Sequence, residues 1–439
     1  MLKKKDYLNV ILIGLALFSM FVGAGNIIFP FYIGAVDGQS LLTGLLGFCI
    51  TGIGLPVLGV MALSKAGGTS DSLSQKISPL FAKVLNVTII LIIGPLFAIP
   101  RTAATTVELA ILPYFQNSYD TRTLLIVGSL IFFIICLYFI LSPKTVVDRL
   151  GTILSPLLII FLLTLIFISL FRSVGNTTPT ELSNPFSHGF IAGYQTMDTL
   201  AAIIFGSTIY QAIKAKGYDQ KHTNKLMPLI AAFAGICIAV LYAGLCHIGA
   251  QGSDVLRPIE EKTALTVMAV QTLSGGFGQL ILSFIIFFAC MTTAIGLIVT
   301  ASNYFYNLFG KRISYRNWAI IITVISYFIS IIGVEGILLI AAPVLELIYP
   351  IAIVLILLNL LGKTWQVRKI YIFTLVVVTP FAIINALAAI APTKDLAVTI
   401  LDYLPLGSEG LVYLLPALIA AVIARLIFKS TGNEKLESM

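Results

Sequence analysis

The chain has 439 residues, of which 58% are hydrophobic and 10% are charged, and its formal net charge is +8 at pH 7. Since a soluble domain carries roughly 25% charged residues, this composition excludes a water-soluble protein and indicates an all-α integral membrane protein. The basic residues stand singly or in small groups between apolar runs, as topology signals do. The positive charge therefore predicts a lipid bilayer, and no nucleic acid, as the partner of the chain.

The first apolar stretch, at about 8–33, contains a sequence that disfavours a continuous helix. Within FSMFVGAGNIIFP (residues 18–30), Gly-Ala-Gly-Asn stands in the middle of the span. Each glycine costs roughly 1 kcal/mol in a helix interior. Backbone released from a helix at this depth must be buried in protein or line a polar cavity. Secondary carriers build binding sites from such broken helices, so the sequence predicts a solute carrier.

Polar segments divide the chain into twelve predicted transmembrane helices. The first six lie at about 8–33, 41–63, 85–112, 123–141, 150–171 and 191–211. The second six lie at about 226–250, 276–309, 317–333, 337–361, 370–391 and 408–428. The connections between them are too short for a soluble catalytic core, so we expect a single transmembrane domain over residues 1–439.

The distribution of lysine and arginine orients these helices. With the N-terminus in the cytoplasm, 21 of the 27 basic residues fall in cytoplasmic segments, and Arg101 falls within a span. The remaining five lie outside, and they are Arg122, Arg172, Arg257, Lys262 and Lys394. A miscounted helix would reverse the side of every later loop. The pattern therefore supports twelve spans with both termini in the cytoplasm.

The sixth span is predicted to be interrupted as well. Its sequence YQTMDTLAAIIFGSTIYQ (residues 194–211) carries Asp198 and the break-prone FGST at 205–208. Interruptions at the first position of two five-helix units are typical of an inverted repeat, so we predict a 5+5 repeat followed by two extra helices. Helices 1–5 cover about 8–171, helices 6–10 about 191–361, and helices 11–12 about 370–428.

Three charged residues inside the spans are candidates for coupling or gating. Arg101 and Glu108 in the third span are seven residues apart, so they share one face of a helix. Asp198 lies in the sixth span. Burying an ionised group is costly, and such residues usually serve a transport pathway or a charged partner. Asp198 is therefore either a functional residue, half of a structural pair, or part of an outer vestibule.

The eighth span carries a pair of threonines, Thr292 and Thr293, one turn after Ala289. Two adjacent hydroxyls and a carbonyl one turn earlier form a cage of oxygen ligands for a small cation. The alternative is structural, because threonines in membrane helices usually bond back to their own helix.

Three segments together resemble one known family: FVGAGNIIFP, GPLFAIPRTAATTVE and YQTMDTLAAIIFG, which occur in this order along the chain. They are similar to the bacterial branched-chain amino acid:cation symporters, over essentially the full length. The resemblance implies a fold related to the leucine transporter, with discontinuous helices 1 and 6. It also implies import of leucine, isoleucine and valine with Na⁺ across the bacterial cytoplasmic (inner) membrane, and no obligate protein partner.

The resemblance also implies the binding residues. The backbone at the first break would bind the substrate carboxylate, while carbonyls at both breaks would meet its ammonium group. Substrate contacts would come from Phe21, Gly23, Ala24, Gly25, Asn26, Phe205, Gly206 and Ser207. The Na⁺ site would use the carbonyls of Ser19, Val22 and Ala289 and the hydroxyls of Thr292 and Thr293.

Several alternatives remain at this point. The carrier could couple to protons through Asp198 or Glu108, or it could transport another neutral amino acid. An integral-membrane enzyme with Asp198 and Glu108 as a catalytic pair is disfavoured, because the cytoplasmic loops are short and basic. A channel is disfavoured because the sequence has neither a charged ring nor a repeated filter motif.

Overall fold

A computed structural model describes residues 4–115, 118–141, 144–407 and 409–428. Regular structure in these residues is helical, and they contain no β-strand. The first helices are α1 (Lys4–Phe21), α2 (Gly25–Asp37), α3 (Leu41–Cys49), α4 (Leu55–Ala66), α5 (Pro79–Leu91), α6 (Ala98–Ala110), α7 (Leu112–Phe115), α8 (Thr121–Leu141) and α9 (Lys144–Ser169). The later helices are α10 (Pro185–Tyr194), α11 (Asp198–Ala215), α12 (Gln220–Gln251), α13 (Ser253–Leu256), α14 (Lys262–Leu308), α15 (Tyr315–Ser330), α16 (Val334–Leu360), α17 (Arg368–Ala388), α18 (Lys394–Asp402) and α19 (Leu414–Ile427).

Within the described ranges, seven helical stretches are long and apolar enough to cross a membrane. They are Gly25–Ala66, Pro79–Ala110, Thr121–Leu141, Gln220–Gln251, Lys262–Leu308, Val334–Leu360 and Arg368–Ala388. Shorter apolar helices cover Asp6–Phe21, Pro156–Ser169 and Leu414–Ile427. The predicted class, an all-helical membrane protein, is confirmed. The count of twelve spans and the 5+5 repeat remain predictions.

The predicted start of the eighth span, at residue 276, coincides with a kink inside α14. Ser274 and Gly275 have non-helical backbone angles there, and the φ of Gly275 is +61°. Glycine adopts positive φ without a steric penalty, so the chain bends at this point and continues as a helix on both sides. The sequence predicted the span after the kink but not the helical segment before it.

Two single π-helical turns interrupt other predicted spans. Ile50–Gly54 joins α3 to α4, and Ile92–Leu96 joins α5 to α6. A π turn leaves part of the regular hydrogen-bond ladder unmade, so backbone carbonyls near it become available to side chains of other helices. The first of these turns bonds to Phe190 of α10 and contacts the ring of Tyr242 in α12.

One compact unit comprises Met1–Gly54, Ile89–Ala201 and Leu229–Ala341. In it α14 packs against α2, α6, α9 and α15, while α3 packs against α10. The α3–α10 crossing is tight, because a Cβ on Gly189 would overlap the carbonyl oxygen of Gly44. Small residues at such crossings allow helix backbones to approach closely, as is common in membrane proteins.

The other compact unit comprises Leu55–Thr88, Ala202–Pro228 and Ala342–Met439. Among its described residues, α17 packs against α18 and α19. The buried side chain of Asn359 in α16 donates a hydrogen bond of 2.8 Å to the carbonyl of Leu73. This bond satisfies a polar group that would be costly to leave unpaired in an apolar interior. The prediction of a single domain remains a prediction.

Candidate functional site

The first predicted break is present where the sequence places it. Helix α1 ends at Phe21 and α2 begins at Gly25, so Val22, Gly23 and Ala24 form the interruption. All of these residues are buried. The first N–H groups of a helix lack acceptors within that helix, so the start of α2 presents backbone donors at the break. Such a helix start favours an anionic group such as a carboxylate.

Asn26 caps this break from the first turn of α2. Its side-chain Oδ1 accepts a hydrogen bond of 3.1 Å from the Gly23 N–H. The family resemblance assigns the Gly23 amide to a substrate carboxylate, but in the structure this donor is bonded to Asn26. The amides at the start of α2 are therefore the better candidates for a carboxylate.

The second break also exists, but its predicted position is wrong. It lies at Gln195–Met197, between α10 and α11, and the FGST segment at 205–208 is continuous helix. A single interior glycine costs only roughly 1 kcal/mol, which is less than the cost of leaving backbone polar groups unpaired in an apolar environment, so the helix continues through it. Met197 adopts a φ of +65°, a left-handed conformation that a helix cannot continue through.

Phe205, Gly206 and Ser207 consequently do not border the break. They stand in the interior of α11, seven to nine residues after its first residue, Asp198. Phe205 and Gly206 are buried and Ser207 is half-buried. The residues that form the break itself, Gln195 and Thr196, were not among the predicted substrate contacts.

Arg101 on α6 binds the carbonyl groups of the second break. Its guanidinium donates to the carbonyl oxygen of Gln195 and, at 3.4 Å, to that of Thr196. The side chain is only 4% exposed. A break leaves carbonyls without helical donors, and a buried cation compensates both these carbonyls and the negative end of α10. Arg101 therefore stabilises the interruption.

The two breaks are joined directly by a buried polar network. Asn26 Nδ2 donates to Asp198 Oδ2 at 2.5 Å and to the Tyr242 hydroxyl at 2.7 Å. The Tyr242 hydroxyl in turn lies 3.3 Å from Asp198 Oδ2, to which it donates. These three side chains are at most 3% exposed. The network brings together α2, α11 and α12, and it gives Asp198 two donors at the break.

The predicted cation ligands of the first and eighth spans meet at one point. Thr293 Oγ1 lies 3.3 Å from the Val22 carbonyl oxygen, to which it donates. A Cβ on Gly23 would lie 3.2 Å from the same hydroxyl, so any larger residue there would crowd this contact. This junction of a carbonyl in the break with a hydroxyl of α14 is the arrangement that the family resemblance implies for a cation site.

Two other predicted cation ligands, the Thr292 hydroxyl and the Ala289 carbonyl, bond within their own helix. Thr292 Oγ1 donates to the carbonyls of Phe288 and Ala289, both at 3.0 Å. The described residues contain no group of three or more His, Cys, Asp or Glu side chains placed to hold a metal ion. Carbonyl and hydroxyl oxygens without a charged cluster suit a hard monovalent cation better than a transition metal.

Glu108 lies apart from the break network. Its carboxylate accepts a hydrogen bond of 2.9 Å from the Val334 N–H at the start of α16. It lines a cavity of about 430 Å³ together with Glu261 and Glu335. Glu335 forms an ion pair of 3.0 Å with Lys262. Glu108 thus anchors the start of α16, whereas Arg101 on the same helix serves the second break.

Tyr242 is the residue of the network that sequence reasoning missed. It lies in the long apolar helix α12 with no local break or charged neighbour to mark it. The available signal was chemical, since a buried tyrosine hydroxyl normally needs a hydrogen-bond partner. That signal could not identify which partner the hydroxyl meets.

Comparisons with known proteins agree on one family. A family described as branched-chain amino acid transport protein matches residues 6–431. The branched-chain amino acid permease BraB of Bacillus subtilis (strain 168) is 34% identical over 436 residues, which cover 97% of each chain. The branched-chain amino acid transport system 2 carrier protein of Pseudomonas aeruginosa is 32% identical over 432 residues, covering 97% of this chain and 98% of its own.

Two solved structures share the fold. Mhp1, a nucleobase-cation-symport-1 family transporter, superposes with a TM-score of 0.62 and 14% identity, over 94% of this chain and 91% of Mhp1. A Na⁺-coupled sialic acid symporter superposes with a TM-score of 0.58 and 14% identity, over 95% of this chain and 89% of the symporter. At these identities the likeness concerns the fold alone.

Proposed function

The chain belongs to the branched-chain amino acid transport protein family, and from that premise we propose that it is a secondary active symporter importing leucine, isoleucine and valine together with Na⁺ by alternating access. The prediction of a transporter, and not an enzyme, is confirmed by this membership. The observation that carries the proposal is the pair of helix breaks joined by the Asn26–Asp198 hydrogen bond.

The first break supplies what a zwitterion needs. The start of α2, at Gly25, offers backbone donors to the substrate carboxylate, and the carbonyls at the end of α1 offer acceptors to its ammonium group. The carbonyls of the second break, predicted as further acceptors, are bonded to Arg101. Among the predicted contacts, Gly23 and Ala24 belong to the first break, and Phe21, the last residue of α1, would provide an apolar wall for an aliphatic side chain. The substrate contacts predicted for Phe205, Gly206 and Ser207 stay a prediction, since these residues are not part of a break.

Na⁺ is assigned to the junction of Val22 and Thr293. The contact between the Val22 carbonyl and the Thr293 hydroxyl supports this assignment. The carbonyls of Ser19 and Ala289 and the hydroxyl of Thr292 would complete the oxygen ligands, since the Thr292 hydroxyl donates to its own helix and keeps its oxygen lone pairs for a cation. Bound Na⁺ would supply positive charge at the first break, where the substrate carboxylate binds.

The protein is a multi-pass membrane protein, and we assign it to the bacterial cytoplasmic (inner) membrane. The excess of lysine and arginine in alternate connections supports twelve spans with both termini in the cytoplasm. The positions of the two breaks, in the first and sixth predicted spans, support the 5+5 inverted repeat. No obligate protein partner is part of this proposal.

Proton coupling is the second candidate, and one observation favours it. Asp198 is a buried carboxylate that contacts both Asn26 and Tyr242 at the junction of the breaks. A carboxylate in this position could carry a proton through the transport cycle. Glu108 is a weaker candidate, because its carboxylate is committed to the Val334 N–H.

The substrate class can be tested without reference to the coupling ion. Purified protein in liposomes loaded with unlabelled isoleucine should exchange it for labelled isoleucine outside, with equal salt and pH on both sides. We expect leucine and valine to compete with the label and glutamate and lysine not to compete. Exchange that leucine and valine do not inhibit would contradict the proposed substrate class.

A further inference from the structure

The Tyr242 hydroxyl is the one group of α12 that contacts residues of both breaks, among the hydrogen bonds of the described chain. It accepts from Asn26 Nδ2 at 2.7 Å and donates to Asp198 Oδ2 at 3.3 Å. Asn26 is the second residue of α2, after the first break, and Asp198 is the first residue of α11, after the second break. The hydroxyl therefore bonds the opening turns of α2 and α11 at once.

The ring that carries this hydroxyl is held firmly. Tyr242 is fully buried, and its ring centroid lies 4.6 Å from that of Phe48. The ring also packs against the π turn of Ile50–Gly54, where a Cβ on Gly52 would lie 3.2 Å from the ring. A fully buried ring held by these contacts places its hydroxyl with little freedom. It can therefore orient the groups to which it bonds.

The orientation of the Asn26 side chain depends on the Tyr242 hydroxyl. Its Oδ1 takes the Gly23 N–H, so the Nδ2 must point toward Asp198 and Tyr242. If the phenol were lost, the amide would keep only Asp198 as an acceptor and could turn. The hydrogen bonds that connect the backbone of the first break to the start of α11 would then be weakened.

We propose that Tyr242 is a positioning residue for the transported amino acid: through Asn26 and Asp198 it holds the two breaks in the arrangement that binds substrate. This inference rests on the proposed function, in which the breaks bind a branched-chain amino acid. Tyr242 acts through its neighbours and makes no contact with substrate in this account. Its loss should therefore weaken substrate binding while the transport rate at saturation is retained.

The test replaces the hydroxyl and keeps the ring, as Tyr242→Phe. Initial uptake of labelled isoleucine is measured against isoleucine concentration in proteoliposomes at saturating Na⁺. We expect the KM to rise about tenfold and the maximal rate to change less than about twofold, as for loss of a buried hydrogen bond to a charged group. Tyr371→Phe is the matched control, since Tyr371 is fully buried and its hydroxyl has no hydrogen-bond partner in the described chain.

A double-mutant cycle separates positioning from simple packing. Equilibrium binding of labelled isoleucine is compared for Tyr242→Phe alone, Asp198→Ala alone, and both together. If the hydroxyl acts through the carboxylate, Tyr242→Phe should weaken binding by less than about twofold once Asp198 is replaced. Additive losses would overturn the inference.

The outcomes also distinguish the inference from the proposed function. If wild-type protein neither binds nor exchanges isoleucine, the proposed function fails and this inference fails with it. If wild-type protein binds isoleucine and Tyr242→Phe leaves the KM unchanged, only the positioning role is overturned. Failure of Tyr242→Phe to yield monodisperse folded protein would likewise overturn it, by assigning the hydroxyl to the stability of the fold.

Discussion

At the scale of single residues, Asn26 shows why an amide stands at the first break. It accepts a bond from Gly23 with its oxygen and donates to Asp198 and Tyr242 with its nitrogen. An aspartate has nearly the same shape but cannot donate when ionised. It would also place a second carboxylate against Asp198, where like charges in a buried site repel strongly. The residue type therefore follows from the three bonds.

The Thr293 hydroxyl gives the cation assignment its sharpest test. We expect Thr293→Ala to raise the Na⁺ concentration for half-maximal isoleucine uptake about tenfold, because it removes one oxygen ligand. The double variant with Thr292→Ala should raise it further. Thr300→Ala is the control, since Thr300 on the same helix donates only to its own Gly296 carbonyl. An unchanged Na⁺ requirement in the double variant would remove the cation site from this junction.

Gly25 tests the role of the first break in substrate binding. A Cβ at this position would lie 2.9 Å from the Arg101 guanidinium and 3.3 Å from Thr196. We expect Gly25→Leu to reduce isoleucine binding by about 100-fold or more, because its side chain would push Arg101 and Thr196 away from the start of α2. Binding is measured on folded, detergent-purified protein. The matched control is Gly296→Leu, since a Cβ on Gly296 has no neighbour within 4 Å. Normal binding by Gly25→Leu would refute the proposed site.

At the scale of elements, the π turn between α3 and α4 ties the two halves of the second broken helix together. Thr51 Oγ1 donates to the Phe190 carbonyl of α10 at 2.8 Å. The Thr51 carbonyl accepts from Thr199 Oγ1 of α11 at 3.2 Å. One residue thus bonds to the segments on both sides of the Gln195–Met197 break. We infer that this turn limits how far α10 and α11 can move apart.

Replacing Thr51 with valine should weaken this connection. Thr51→Val keeps the branched shape and removes the hydroxyl, so we expect a loss of about 1 kcal/mol of stability. Thermal unfolding in detergent, followed by intrinsic fluorescence, measures it as a lower Tm. Thr323→Val is the control, because the buried Thr323 hydroxyl donates only to Ala319 of its own helix. An equal decrease in Tm for the two variants would show that the bond from Thr51 to α10 stabilises the protein no more than a bond within one helix.

The first break could be predicted from sequence, whereas the second was misplaced, for a physical reason. Two glycines close together weaken a helix by their own conformational freedom, which is a local property that the sequence displays. The second break contains no glycine, and its carbonyls are satisfied by Arg101, nearly a hundred residues away. Such a break depends on a tertiary contact, which local propensity does not encode. The glycine at 206 therefore drew the prediction to the wrong place.

In the candidate site, too, some contacts could be predicted from the sequence and others could not. The meeting of Val22 with Thr293 was expected, because the resemblance to a family supplied a pairing that spacing alone does not. The Asn26–Asp198–Tyr242 network required three separate helices to converge, and only its first two members were identified beforehand. Asp198 was conspicuous as a charge inside an apolar span. Tyr242 was inconspicuous, since an uncharged aromatic residue is ordinary in such a helix.

At the scale of the whole molecule, charged residues are few and occur in a small number of segments. Charged residues are 10% of the sequence, and most of them stand in the connections between apolar spans. Four charged residues of the described chain are buried: Asp6, Asp37, Arg101 and Asp198. Two of them, Arg101 and Asp198, bond at the helix breaks. Buried ionisable groups are expensive in a membrane protein, so this pair supports the proposed transport site at the breaks.

The measurement that tests the central claim most directly is isoleucine accumulation driven by a single ion gradient. Purified protein is reconstituted in liposomes, and labelled isoleucine uptake is followed under an inward Na⁺ gradient at equal pH, and separately under an inward proton gradient without Na⁺. We predict that labelled isoleucine accumulates above its external concentration under the Na⁺ gradient only. Accumulation driven by protons in the absence of Na⁺ would contradict Na⁺ coupling and transfer the coupling role from Thr293 to Asp198.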